Sequence, residues 1–188
     1  MARLGIILLF SIMFLLKTEV SQAQSFSVST NIADWANFGT VNLEAGMSVS
    51  RHFSIVAGGH YNPWEFQTSK GYDMHNRQTT VYAGARYWPW YVFSGWWVGA
   101  KLQYSSFSRT GIWRPALEQG RSLGAGLSLG YTIMLHKNLN IELGAGLWGG
   151  RHLEYTLYEC PECMRIRENG PRGFISPDEV SLSIMYIF

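Results

Sequence analysis

The sequence predicts an all-β protein, namely an eight-stranded antiparallel up-and-down transmembrane β-barrel. Three observations carry this prediction: a long hairpin pattern over residues 121–148, an alternating strand at the carboxyl end, and an unusual aromatic and glycine content. The 188 residues include 8 Trp, 10 Tyr, 10 Phe and 20 Gly. Small barrels use aromatic residues as girdles at the membrane interfaces and glycines to relieve crowding inside.

The hairpin pattern consists of two alternating arms separated by His136, Lys137 and Asn138. Their apolar positions are Leu123, Ala125, Leu127, Leu129, Tyr131 and Ile133 in the first arm, and Leu139, Ile141, Leu143, Ala145 and Leu147 in the second. Successive side chains of a strand point to opposite faces, so each arm is a strand with one apolar face. Arms of roughly ten residues match a tilted strand that crosses a bilayer. The apolar faces therefore point toward lipid and the small or polar faces toward the lumen.

The last nine positions repeat this alternation and stop on an aromatic residue. Val180, Leu182, Ile184, Tyr186 and Phe188 alternate with other residues up to the carboxyl end. This segment resembles the carboxy-terminal recognition strand of bacterial outer-membrane proteins. A soluble sandwich ending in the same strand would expose a long apolar edge and aggregate.

The amino-terminal residues predict a secretory signal peptide over residues 1–23. Arg3 precedes an apolar run from Leu4 to Leu16, and the small residues Ser21 and Ala23 occupy the positions that signal peptidase reads. The run is shorter than the ~20 residues that a spanning helix requires. Residues 24–188 are then a single outer-membrane barrel domain, secreted across the inner membrane.

Five further strands follow from the same period of two. They cover residues 26–32, 41–48, 53–61, 79–87 and 96–104, and Pro63 and Pro89 end the third and fourth. With the hairpin and the last strand the total is eight. Residues 65–76, 107–120 and 151–179 are predicted long outer loops, whereas the connections after strands two, four and six are short periplasmic turns.

Four charged side chains fall in mid-strand on the faces assigned to the lumen: Glu44, Arg86, Lys101 and Glu142. Isolated charges are too costly in a narrow dry lumen, so these two acids and two bases are expected to pair. An eight-stranded barrel has room only for its own side chains. A structural plug is therefore favoured over a proton or ion path, with His60, Tyr82, Trp97 and Trp148 adding bulk.

Cys160 and Cys163 form a Cys-Pro-Glu-Cys motif in the third outer loop. In an oxidising compartment the simplest prediction is one disulfide that closes a tight loop. Thiol redox chemistry and a zinc site are the alternatives. Redox proteins use this cysteine spacing at the start of a helix, and a zinc site needs further ligands.

Composition and spacing point to no cofactor, no metal ion and no catalytic group. The net charge of +2 gives no sign of a nucleic-acid partner. Serines are plentiful and His60, His136 and His152 lie in or near strands, but no Ser and His pair is singled out by its spacing. A lipid-acting enzyme would need such a pair to converge near one rim.

Several motifs, in this order, resemble a family of uncharacterised Bacteroidota proteins that is classed as a domain of unknown function. They are residues 61–64 (Tyr-Asn-Pro-Trp), residues 85–88 (Ala-Arg-Tyr-Trp), the strand 126–131, the Cys-Pro-Glu-Cys motif and the final aromatic strand. The resemblance implies a small OmpA- or OmpX-like barrel in the Gram-negative outer membrane. It also implies an association with fimbrial gene clusters, and it supplies no catalytic residue.

The expected function is that of a non-enzymatic cell-envelope protein that contacts outer-membrane lipid and, through its outer loops, surface or fimbrial assembly proteins. The candidate contact residues are Trp64, Ile112 and Trp113, because exposed aromatic residues are favoured anchors. The alternatives are an outer-membrane enzyme acting on lipid and a small channel.

Overall fold

The computed structural model describes residues 26–36, 39–67, 73–110, 117–159 and 166–188. The predicted signal peptide lies outside these ranges. The elements in chain order are β1 Phe26–Asn31, α1 Ile32–Ala36, β2 Val41–Ser48, β3 Phe53–Asn62, β4 Glu65–Gln67, β5 Asp73–Tyr87, β6 Gly95–Thr110, β7 Leu117–His136, β8 Leu139–Tyr158, β9 Ile166–Asn169 and β10 Gly173–Ile187. Every pairing between these strands is antiparallel.

β10 closes the barrel because it pairs with β1 on one side and β8 on the other. The order around the wall is β1, β2, β3, β5, β6, β7, β8 and β10, while β4 pairs with β5 alone and β9 with β8 alone. Beside the seam, the amide of Phe188 donates a hydrogen bond to the carbonyl of Phe26 at 2.8 Å. Closure removes unpaired edges from the wall. The predicted eight-stranded antiparallel barrel is confirmed.

Side chains alternate between the outside and the lumen as the period of two predicts. On β6, for example, Trp96 and Val98 are exposed, whereas Trp97 and Gly99 are buried. On β10, Tyr186 is 47% exposed although its neighbours Met185 and Ile187 are almost completely buried. The barrel therefore carries its apolar side chains outward and most of its polar side chains inward.

The two ends of the barrel differ in how the strands are joined. At one end, here called the short-turn end, residues 49–52, 88–94 and 137–138 connect successive strands. At the opposite end, the long-strand end, β5 to β8 run well past the ends of β1 to β3. The barrel wall is consequently taller on the side formed by β5 to β8.

The outward apolar band stops before the long-strand end. Tyr104 of β6 lies beside Leu123 of β7, but the next outward pair is Ser106 and Arg121. On β6 the band runs from Trp96 to Tyr104, which matches the ~9–11 residues of a tilted spanning strand. Among the described residues, no helix is both long and apolar enough to cross a membrane.

The structure corrects the predicted extents of the loops. Parts of all three, residues 65–67, 73–76, 107–110, 117–120, 151–158, 166–169 and 173–179, are strand. Backbone ladders continue there between neighbouring strands, for example from Arg109 to Glu118, because a hydrogen-bonded hairpin needs no apolar face. The first strand ends one residue early, and Ile32 begins α1.

An apolar cluster, which we call the plug, fills the lumen at the short-turn end. Its members are Trp88, Phe93, Trp97, Met185 and Ile187, none of them more than 2% exposed. Phe93 adopts a φ of 63°, which is costly for a residue other than glycine. The side-chain amide of Asn140 donates to its carbonyl at 2.8 Å, so the β5–β6 connection is held inside the barrel.

Two facing glycines make room for the indole of Trp97. Gly130 of β7 lies beside Gly144 of β8. A methyl group at Gly130 would collide with the Trp97 ring, and one at Gly144 would lie 3.2 Å from it. The inward glycines therefore determine where this large side chain fits.

Candidate functional site

A buried ion network crosses the middle of the lumen. The guanidinium of Arg86, on β5, lies 2.9 Å from a carboxylate oxygen of Glu44 on β2 and 3.3 Å from one of Glu142 on β8. The hydroxyl of Tyr82 donates to Glu44 at 2.9 Å, and that of Thr132 donates to Glu142 at 3.3 Å. One cation thus bridges two acids from distant parts of the wall.

The plug lies directly against this network. The guanidinium of Arg86 is 4.3 Å from the centre of the Trp97 ring, a cation–π distance. The cavity beside Glu44, Arg86 and Glu142 has a volume of about 20 Å³, close to the minimum for one water. Within the described residues, the lumen is packed at this level.

Lys101 pairs with a residue that the sequence did not point out. Its ammonium nitrogen lies 2.7 Å from a carboxylate oxygen of Asp178, and both side chains are buried. It also lies 4.5 Å from the centre of the Tyr82 ring. Asp178 falls within the predicted third loop. The sequence signal that could have located it is Pro177, which interrupts an alternating strand.

The four predicted bulky lumen residues have different positions. Trp97 belongs to the plug, and Tyr82 contacts the ion network. His60 binds Asp34 of α1 through Nδ1 at 2.7 Å, so it ties the helix to the wall. Trp148 lies nearer the long-strand end and lines a separate cavity.

This cavity, here called the cup, opens at the long-strand end and is the principal candidate site. Its volume is about 340 Å³, within the usual range for ligand pockets. Its walls come from β5, β6, β7, β8 and β10. The cup lies mainly beyond the outward apolar band, since its residues Arg109 and Glu118 follow the pair Ser106 and Arg121 on β6 and β7.

Aromatic side chains form one side of the cup. His152 stacks on Phe174 with ring centres 4.3 Å apart, and Trp148 meets Phe174 edge to face at 4.5 Å. Tyr155 lies 5.2 Å from His152 and Phe107 lies 5.8 Å from it. Each ring packs against another, which limits the rotamers available to this wall.

Ser122 and His152 form the buried hydrogen bond that holds this aromatic wall. The Ser122 Oγ lies 2.6 Å from His152 Nδ1. Burial, followed by the charges of Arg172 and Arg109, lowers the pKa of His152 below 6.5. The ring is therefore neutral at pH 7 and stacks without a buried charge.

The Ser122 and His152 pair meets the distance requirement for a hydrolase, but not the requirement for access. Ser122 is fully buried, so an ester carbonyl does not reach its Oγ in this conformation. No spacing in the sequence links these two residues, because the pairing of β7 with β8 brings them together.

Tyr155 is the second titratable aromatic residue of the cup. Burial and then the charge of Glu118 raise its pKa above 10. The guanidinium of Arg172 lies 4.0 Å from the centre of its ring and 2.9 Å from a carboxylate oxygen of Glu168. The phenol therefore stays protonated at neutral pH beside a paired arginine.

Of the predicted loop contacts, only Trp64 lies among the described residues. Its indole nitrogen donates to the carbonyl of Gly39 at 3.2 Å, and the side chain remains 47% exposed. Ile112, Trp113, Cys160 and Cys163 lie outside the described residues, so the predicted contacts and disulfide stay predictions. Over the described ranges, no group of three His, Cys, Asp or Glu side chains could hold a metal ion.

One family model, described as "Protein of unknown function (DUF3575)", matches residues 7–188. The match covers almost the whole chain, so the chain belongs to this family. No curated protein and no solved structure matches the chain.

Proposed function

We propose that this member of the DUF3575 family is a non-enzymatic outer-membrane barrel with a closed lumen, acting at the cell surface through its long-strand end. The observation that carries the proposal is the outward apolar band around a closed barrel, which ends where charged residues such as Arg121 begin. Outer-membrane lipid is the natural solvent for such a band. The short turns would then face the periplasm, as in small OmpA- or OmpX-like barrels.

The filled lumen supports a structural or accessory role over that of a channel. The plug and the bridge from Arg86 to Glu44 and Glu142 lie one above the other along the lumen. Opening the lumen would separate Arg86 from Glu44 and Glu142 and leave buried charges without these partners, which is expensive. The filled lumen therefore favours a structural role over conduction.

The finer part of the proposal concerns partners. The β-ladders of the long-strand end raise a rim above the band, and Trp64 is half exposed there. We propose that this rim, with Trp64, Ile112 and Trp113, contacts surface components such as fimbrial assembly proteins of a Bacteroidota envelope. Exposed aromatic residues are common interface anchors.

Site-directed labelling tests membrane placement and orientation. In a background of Cys160→Ser and Cys163→Ser, single cysteines replace Asn169 at the long-strand end and Ser50 at the short-turn end, both exposed. A membrane-impermeant maleimide should label the first on intact cells and the second only after lysis. Reversed labelling, or recovery in the soluble fraction, would contradict the proposal.

Photo-cross-linking tests the partner. A photoreactive residue at Trp64 or Trp113 should capture a fimbrial or other surface protein in native outer membranes. The matched control is Trp90, which is 56% exposed at the short-turn end. Capture from Trp90 alone, or of no protein from either rim position, would contradict a stable partner at the rim.

A second candidate function, ester hydrolysis on a lipid, is favoured by the 2.6 Å contact between Ser122 and His152. A fluorophosphonate probe reacts with an activated serine. Labelling of the purified chain that Ser122→Ala abolishes would support the hydrolase. No labelling in detergent or in lipid would favour the non-enzymatic proposal.

A further inference from the structure

The cup is lined by an amide side chain that has no hydrogen-bond partner among the described residues. Gln103 of β6 is 5% exposed and lines the cup. Its side chain makes no hydrogen bond to any described residue, whereas nearby Ser105 bonds Thr80 at 2.9 Å. Because Gln103 lines the cup, its amide donor and acceptor are available to a ligand in that cavity.

The charges of the cup are paired with one another. Arg109 lies 3.2 Å from Glu118, and Asp178, which lines the cup, lies 2.7 Å from Lys101 deeper in the lumen. Arg172 is paired with Glu168, as described above. Each of these cations already has a carboxylate partner, so the cup offers little attraction to a phosphate or carboxylate.

The opposite wall supplies apolar ring surface. Trp148 and Phe174 line the cup, and the neutral His152 is fixed between Ser122 and Phe174. Aromatic rings with restricted rotamers bind a ligand at a low cost in side-chain entropy. The same wall is unsuited to a fully hydrated ligand.

From the aromatic wall, the free amide and the paired charges, we propose that the cup binds a neutral saccharide. A pyranose ring offers C–H groups on one face, which pack against Trp148, and hydroxyl groups at its edge, which bond Gln103 and the charged rim. A fatty acyl chain would leave Gln103 unpaired. The volume of about 340 Å³ suits a mono- or disaccharide. This inference does not depend on how the barrel is oriented in a membrane.

Calorimetric titration of the purified full chain tests the inference. The detergent must carry no sugar headgroup, so a zwitterionic amine oxide is used. Neutral hexoses and disaccharides are titrated first, and inorganic phosphate, a hexuronic acid and laurate follow. At least one neutral sugar should bind, whereas phosphate, the hexuronic acid and laurate should each bind at least tenfold more weakly. If phosphate, the hexuronic acid or laurate binds more tightly than every neutral sugar, or if no neutral sugar binds, the proposal is overturned.

Two variants and two matched controls place the binding in the cup. Gln103→Ala should weaken saccharide binding about tenfold, and Trp148→Ala should abolish it. Gln119→Ala and Trp90→Ala, at exposed positions outside the cup, should bind as the wild type does. Equal weakening in the controls, or unchanged binding by Gln103→Ala, would also overturn the proposal.

A separate binding experiment distinguishes a sugar of the surface polysaccharide from a free sugar. Immobilised oligosaccharides from surface polysaccharide are compared with the free mono- and disaccharides. Binding of chain termini at least tenfold tighter than the free sugar would assign the cup to a surface glycan. Equal affinities would assign it to a free sugar.

Discussion

The ammonium of Lys101 and the carboxylate of Asp178 meet inside the barrel at 2.7 Å, although the two residues belong to β6 and β10. The meeting depends on an irregularity in β10, where the pairing with β8 shifts between Pro177 and Val180. A bulge changes which face a side chain takes. As a result Asp178 turns inward while Val180 stays outward.

Breaking this pair should strongly destabilise the barrel. Asp178→Asn leaves the ammonium of Lys101 buried without its carboxylate, and removal of one partner of a buried pair costs about 3–5 kcal/mol. The free energy of unfolding in detergent micelles, followed by tryptophan fluorescence, measures the loss. The control is Glu154→Gln, which breaks the exposed pair with Arg121 and should cost less than about 1 kcal/mol. Equal losses in the two variants would contradict the buried pairing.

Removal of the bridging cation, Arg86, should lower the free energy of unfolding at least as much as Asp178→Asn does. Arg86→Met leaves two buried carboxylates, Glu44 and Glu142, without their shared partner. Adding Glu44→Gln and Glu142→Gln to the same chain should recover part of the free energy of unfolding. If the triple variant is no more stable than Arg86→Met, the loss comes from packing against Trp97 rather than from charge.

A single methyl group beside the plug should be poorly tolerated. Gly130→Ala places a Cβ against the Trp97 ring and the Leu143 carbonyl, and overpacking costs about 1–3 kcal/mol. The control is Gly173→Ala, whose Cβ would meet only the Gly150 carbonyl at 3.7 Å. Chemical unfolding should separate the two variants by at least 1 kcal/mol. A Gly130→Ala protein as stable as the control would show that the indole shifts without cost.

The free energy of unfolding of the barrel should depend on pH through His152, which lies in the wall of the cup. Burial lowers the pKa of His152 in the folded chain below its ordinary value of 6.5. Between that lowered pKa and 6.5, the unfolded chain therefore binds more protons than the folded chain does. Stability is therefore fully present above about pH 6.5 and falls as the pH drops toward the folded pKa. Unfolding measured from pH 8 to pH 4.5 should show this slope in the wild type and in His136→Gln, where the replaced histidine is exposed. The same slope in His152→Gln would assign it to another group.

The purified barrel should not conduct ions in a planar lipid bilayer. The plug and the ion network fill the lumen, and any path would have to pass Trp97. Trp97→Ala and Phe93→Ala combined with Arg86→Ala are expected to produce small conductance steps, because they empty the plug and remove the cation that joins Glu44 to Glu142. Steps of the same size in the wild type would favour the channel alternative.

The alternation of apolar and polar residues was enough to predict the closed eight-stranded barrel, because period two is a local property that any strand pairing preserves. The same pattern assigned Glu44, Arg86, Lys101 and Glu142 to the lumen. It could not set the ends of the strands, since the ladder from Arg109 to Glu118 depends on hydrogen bonds between neighbours and not on an apolar face.

Contacts across the lumen and between neighbouring strands were decided only by the tertiary structure. The inward turn of Asp178 requires a bulge, the insertion of Phe93 requires a positive φ, and the contact between Ser122 and His152 requires the register of β7 against β8. Each depends on pairing between residues distant in the chain, which sequence periodicity does not encode. The sequence by itself thus determined which side chains face the lumen, and the register of the closed barrel decided which of them meet.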